Sequence, residues 1–167
     1  MNAERSVVSL RNAKRSVVNL VNDGDGMTNY ELYNEAQKLG LPNFKYFMSN
    51  ELIKASPDEK ECGIVNLDDS DGVGTHHVCY WIDTGRRQLT GQRQLMCFDS
   101  FGVAPPTELI DYMKRKAESK TKILYSTYVI QDLKETNCSE LCLYVLNELN
   151  KGRNYKTIIL ELLWRSS

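Results

Sequence analysis

The chain has 167 residues, 41% of them hydrophobic and 26% charged, with a formal net charge of −1. That is the length and composition of one soluble domain able to bury a real core. The net charge does not suggest wholesale nucleic-acid binding, and no run approaches the roughly 18 apolar residues that a membrane span needs. Residues 1–5 (Met-Asn-Ala-Glu-Arg) lack the charge-then-apolar pattern of a signal peptide. Five cysteines, at 62, 79, 97, 138 and 142, are an odd number. This argues against a complete disulfide framework and for a reducing compartment.

In chain order, residues 5–10 (Arg-Ser-Val-Val-Ser-Leu) nearly recur at 15–20 (Arg-Ser-Val-Val-Asn-Leu). A duplication this short is no solenoid; residues 1–26 read as an extension or arm, and 27–167 as the domain proper. Asn22-Asp23-Gly24-Asp25-Gly26 reads as a flexible linker, since no Glu completes a twelve-residue calcium loop. Thr28 with Glu31 forms a capping box, so a helix follows through Lys38, ended by Gly40 with Pro42 beyond. Ile64-Val65-Asn66-Leu67 predicts a strand, and 68–74 a loop. Residues 77–83 and 94–99 predict two strands joined as a hairpin through polar 84–93. Pro105-Pro106 leads into a capped helix over 107–118. Residues 123–130 form a third long β-prone run. Residues 138–149 predict an amphipathic helix with Gly152 past its end, and 154–164 a last helix. Strands in the middle flanked by helices give an α+β fold with a central mixed sheet.

Four residue types stand in one order along this framework: His76, Asp99, Gln131, Cys138. They supply a base, a carboxylate to orient it, an oxyanion donor and a thiol nucleophile, the set that a cysteine peptidase requires. With Asn137 as N-cap and Glu140 three residues later, Cys138 falls in the first turn of its helix, where the helix dipole favours a thiolate. Taken singly, each residue also has a bland reading: a buried core cysteine, a strand-end histidine, a turn aspartate, a loop glutamine. Cys142, one turn on, is the core cysteine of that helix, and Cys79 and Cys97 are small buried hydrophobes. His77 competes with His76. Side chains alternate across a strand, so the two should face opposite sides and only one should meet Cys138. A zinc site at Cys138 and Cys142 is poor, because no second pair of ligands exists at the needed spacing.

The blocks Gly74-Thr75-His76-His77-Val78-Cys79-Tyr80-Trp81, Met96-Cys97-Phe98-Asp99-Ser100-Phe101-Gly102 and Gln131 seven residues before Cys138 resemble the adenovirus maturation protease. They also resemble the related proteases of adintoviruses, virophages and Maverick/Polinton elements, a group in one clan with the SUMO-type peptidases. The resemblance covers residues 27–150. It implies an adenain-like fold with the nucleophile at a helix N-terminus. It also implies a thiol protease with His76 as base, Asp99 as orienting acid, Gln131 as oxyanion donor and Cys138 as nucleophile. The work implied is virion maturation: cleavage of capsid and core precursor proteins after glycine-containing motifs, in host cytoplasm or nucleus and in the virion. Two departures stand out: His77 where the group has a large aromatic, and Ser139 where it has glycine. No cofactor is required by the sequence, but the resemblance implies a peptide or DNA activator. The basic stretch around Lys114, Arg115, Lys116, Lys120 and Lys122 would bind DNA weakly and with steep salt dependence. The alternatives are a SUMO or ubiquitin-like deconjugating peptidase and a non-catalytic binding module on the same fold.

Overall fold

In a computed structural model, residues 27–68, 76–85, 94–118, 120–131 and 137–166 are described. The expected arm 1–26, most of the loop before His76 and most of the hairpin connection lie outside the described residues. The elements are α1 (Asn29–Lys38), β1 (Lys45–Met48), a 3₁₀ turn (Ser49–Glu51), β2 (Lys60–Asn66), β3 (His77–Asp83), β4 (Gln94–Phe98), α2 (Thr107–Lys114), β5 (Ile123–Tyr125), α3 (Cys138–Asn150) and α4 (Tyr155–Ser166). The strands form one mixed sheet in the order β1-β2-β3-β4-β5. The inner pairs β2/β3 and β3/β4 are antiparallel, and β1 and β5 add parallel at the two sides. The α+β expectation with a mixed central sheet therefore holds.

Buried residues alternate along the inner strands and so build two cores. Cys62, Ile64, Cys79, Trp81, Met96 and Phe98 pack with Leu32 of α1, Leu143 and Leu146 of α3 and Ile158 of α4. Val65, Val78, Tyr80, Ile82, Leu95 and Cys97 pack on the other face with Leu52 and with Leu109, Tyr112 and Met113 of α2. Burial on both faces explains why these strands read as nearly continuous apolar runs. Each fully buried leucine contributes about 2 kcal/mol of transfer free energy.

A buried carboxylate ties β1 to the sheet. Glu61 is fully buried on β2, and its Oε2 accepts from Lys45 Nζ at 2.5 Å and from the Asp58 amide at 2.7 Å. Its Oε1 accepts from the Tyr80 and Tyr112 hydroxyls at 2.9 and 2.6 Å. Both oxygens are thus satisfied, which is what keeps a buried charge tolerable.

Several predicted elements differ in extent. The Thr28–Glu31 capping box is present and α1 ends at Lys38, with Gly40 at φ 65°. β1 was not anticipated, although Phe44-Lys45-Tyr46-Phe47-Met48 is aromatic and β-prone. β2 starts four residues before the predicted strand, at Lys60. α2 stops at Lys114 rather than 118, and its N-cap is Pro106, which makes no side-chain cap bond. Just past its end, the Arg115 side chain donates to the carbonyls of Leu52 and Ala55. β5 is three residues, not eight. Beyond it the chain turns to Ser100, whose carbonyl accepts from the amides of both Ile130 and Gln131.

Candidate active site

The corner after β4 is built residue by residue from Phe98 to Gly102. Phe98 points into the core, fully buried. Asp99 follows at the strand end, and its Oδ1 accepts from His76 Nε2 at 2.8 Å and from the Phe101 amide at 2.8 Å. The Phe101 ring stacks on the His76 imidazole, with centroids 4.4 Å apart and planes 22° apart. Gly102 closes the turn by donating its amide to the Asp99 carbonyl at 3.0 Å. Its φ of 70° and the Thr127 carbonyl, 2.5 Å from where a Cβ would stand, leave room for glycine alone. Ser100, fully buried, donates its hydroxyl to Gln131 Oε1 at 2.5 Å. With its oxygen engaged there, the amide of Gln131 turns its N–H₂ end the other way.

Cys138 opens α3 as expected, buried at the helix start. Asn137 occupies the N-cap position but makes no side-chain capping bond, and its Oδ1 is buried without a partner among the described residues. The expected cap is therefore positional only. Cys138 Sγ lies 3.6 Å from His77 Nδ1. His76 faces the same thiol closely enough that each shifts the proton affinity of the other. The expectation that only one histidine could meet Cys138 is corrected here. Strict alternation places His77 with Cys79 and Trp81 on the α3 face. His76 precedes β3, so the strand pleat does not dictate its direction, and it swings to Asp99 instead.

The electrostatics of the site are inverted relative to free side chains. Burial alone would push the Cys138 thiol up, but hydrogen bonds to His76 and then to His77 outweigh it and hold the thiol at about 6. Burial alone would lower His76, but hydrogen bonds to Asp99 and to Cys138, with the charges of both, push it up to about 9. Between those values the pair exists as thiolate and imidazolium, which is the reactive form of a thiol nucleophile. The other cysteines behave oppositely. Cys62, Cys97 and Cys142 are driven upward chiefly by burial, and all five cysteines are free.

His76, Asp99 and Cys138 are thus brought together, and Gln131 is tied to the same corner through Ser100. Sequence reasoning missed Ser100, Phe101 and Tyr46, and it set His77 against His76 as a rival. Tyr46 Oη lies 3.2 Å from His77 Nε2. The polar residue at position 77, where an apolar ring was expected, was the available signal for that contact. The arrangement can deprotonate a thiol and hold an imidazolium as acid for a leaving group, and it anchors the oxygen end of the Gln131 amide at the same corner.

No protein-family model matches the chain, and no curated protein matches it. Among solved structures, the ASFV pS273R protease superposes with a TM-score of 0.59 at 18% identity, over 81% of this chain and 61% of that one. Its selenomethionyl form gives a TM-score of 0.54 at 20% identity, over 81% and 62%. The chain spans about three fifths of the length of the structures it matches. The likeness is one of fold: this mixed five-stranded sheet with its four helices matches the fold of the ASFV pS273R protease.

Proposed function

We propose that the chain is a cysteine endopeptidase that processes viral or mobile-element precursor proteins. The observation that carries this reading is the reversed proton affinity at Cys138 and His76, with Asp99 holding the far ring nitrogen. A merely structural cysteine would have the opposite shift, as Cys142 does. The likeness of fold to a viral protease supports the same class of reaction.

In this mechanism the Cys138 thiolate attacks the scissile carbonyl carbon. Gln131 Nε2 and the Cys138 backbone amide donate to the oxyanion; one such donor is worth about 2.7–4 kcal/mol in transition-state stabilisation. His76 gives its proton to the leaving amine, and the acyl group stays on sulfur as a thioester. The neutral imidazole then takes a proton from water, hydroxide adds, and the C–S bond breaks to return the thiolate. Asp99 keeps the ring oriented and its charge balanced throughout. Substrates on this reading are capsid and core precursors cut after glycine-containing motifs, in an adenovirus-type setting with a peptide or DNA accessory. The site of action is the host cytoplasm or nucleus and the virion.

The test is turnover of fluorogenic peptides with Gly-Gly or Gly-x-Gly before the reporter, by the wild-type chain and by Cys138→Ala. Cleavage that is lost in the variant, with folding kept, supports the assignment. Equal release of the reporter by both proteins would refute it.

A further inference from the structure

The proposed mechanism gives His77 no work, yet its ring nitrogen lies 3.6 Å from the nucleophilic sulfur. What holds that ring fixes which nitrogen carries hydrogen. The Asp68 amide donates to Asn66 Oδ1 at 3.0 Å, so the Asn66 side chain presents its N–H₂ in the other direction. That Nδ2 donates to Tyr46 Oη at 3.3 Å. The Tyr46 oxygen is therefore an acceptor from Asn66, and its own hydrogen is left for His77 Nε2 at 3.2 Å. Burial raises the proton affinity of Tyr46, so the hydroxyl keeps that hydrogen across the working pH range. A neutral imidazole that accepts at Nε2 carries its hydrogen on Nδ1. Asn66, Tyr46 and His77 thus donate in one direction, and the series ends at sulfur. The charged and titratable groups facing the ring are Cys138 and Glu140 on α3, Tyr46 on β1 and the adjoining His76.

We propose that His77 is a second hydrogen-bond donor to the Cys138 sulfur, locked in its Nδ1–H tautomer by Tyr46 and Asn66. The proposal deepens the nucleophile assignment and rests on it. Its chemical use comes at deacylation. His76 then holds the proton it has taken from water, the C–S bond breaks, and its electron pair returns to sulfur. The Nδ1–H of His77 stabilises that leaving thiolate independently of His76. In acylation the same bond holds the thiolate in place while His76 delivers its proton to the amine. Tyr46 and Asn66 do not touch the reacting atoms and act as positioning residues through His77.

The experiment is the rate of iodoacetamide alkylation of Cys138 against pH, read by peptide mapping, in four proteins: wild type, His76→Ala, His77→Phe and Tyr46→Phe. His77→Phe keeps a ring in the site and removes both nitrogens; Tyr46→Phe removes one oxygen. The expected wild-type midpoint is near 6. A lost hydrogen bond to a charged sulfur should raise it by about one unit in His77→Phe, and by roughly half as much in Tyr46→Phe. Wild-type midpoints in both of these variants, with the midpoint raised in His76→Ala, would overturn the role of His77 and leave the nucleophile assignment standing. An ordinary thiol midpoint in the wild type would overturn both. If His77→Phe does not fold, Tyr46→Phe alone decides: an upward shift supports the donor series and no shift overturns it.

Discussion

Replacing Ser100 with alanine separates oxyanion stabilisation from thiol activation. Ser100 and Gln131 are both buried, and their hydroxyl-to-carbonyl bond is 2.5 Å long. On the proposed mechanism, the bond fixes which end of the Gln131 amide faces the substrate. If the amide merely loosens, the cost is that of one hydrogen bond, about 1 kcal/mol, or roughly fivefold in kcat. If the amide turns over and presents its oxygen, the donor is lost altogether, at about 2.7–4 kcal/mol and 10²–10³ in kcat. The expected outcome lies between, a fall of roughly thirtyfold in kcat with KM little changed. The paired assay is alkylation of Cys138 by iodoacetamide. Displacement of iodide at a saturated carbon develops no oxyanion, so its rate should match that of the wild type. Ser100→Ala that slows alkylation and turnover equally would refute this reasoning, because the defect would then lie in the thiolate or in folding. Unchanged turnover would refute it as well.

Turnover against pH should show a lower limb near 6, where the thiolate forms, and an upper limb near 9, where His76 loses the proton that the leaving amine needs. A single limb near the unperturbed thiol value would contradict the ion pair. Asp99→Asn, which keeps the shape but not the charge, should lower kcat by about 10³–10⁴ and bring the upper limb down, read from initial rates across the same pH series. Cys142→Ala should retain wild-type alkylation of Cys138 yet lose about 1–2 kcal/mol of stability, read as a lower urea midpoint, since Cys142 is a buried core side chain. Glu61→Gln places an N–H₂ group among donors from Lys45, Tyr80 and Tyr112. It should cost about 3 kcal/mol in urea unfolding without moving the alkylation midpoint.

How far the sequence reached depended on whether local pattern or distant packing decides each element. Helix α1 was legible because its cap, Thr28 with Glu31, lies within the element itself. Strands β3 and β4 were legible because burial on both faces makes them apolar throughout. β5 was overestimated because residues 126–130 are equally β-prone, and what removes them from the sheet is a distant acceptor, the Ser100 carbonyl. β1 was missed because it is short, and its partner Glu61 lies sixteen residues away. At the site, residue types and order nominated His76, Asp99 and Cys138, the resemblance of the surrounding blocks favoured them over their rivals, and the fold brings the three together. The two-histidine problem was not soluble from alternation, because the pleat begins at His77 and does not reach His76. Ser100 and Tyr46 were illegible for a simpler reason. A hydroxyl acquires its meaning from the atom it points at, and neither target is near it in the chain.

The distribution of the site along the chain bears on when its parts first come together. Base and carboxylate come from the sheet, while the thiol comes from a helix that begins at residue 138. A ribosome adding about 5–20 residues per second delivers the imidazole and its aspartate several seconds before the sulfur. The thiol gains its low proton affinity only after α3 docks on the finished β3 surface through Cys142, Leu143 and Leu146. On the proposed function, a chain still being made, or released short of that helix, has the base and its aspartate but no nucleophile for them to activate.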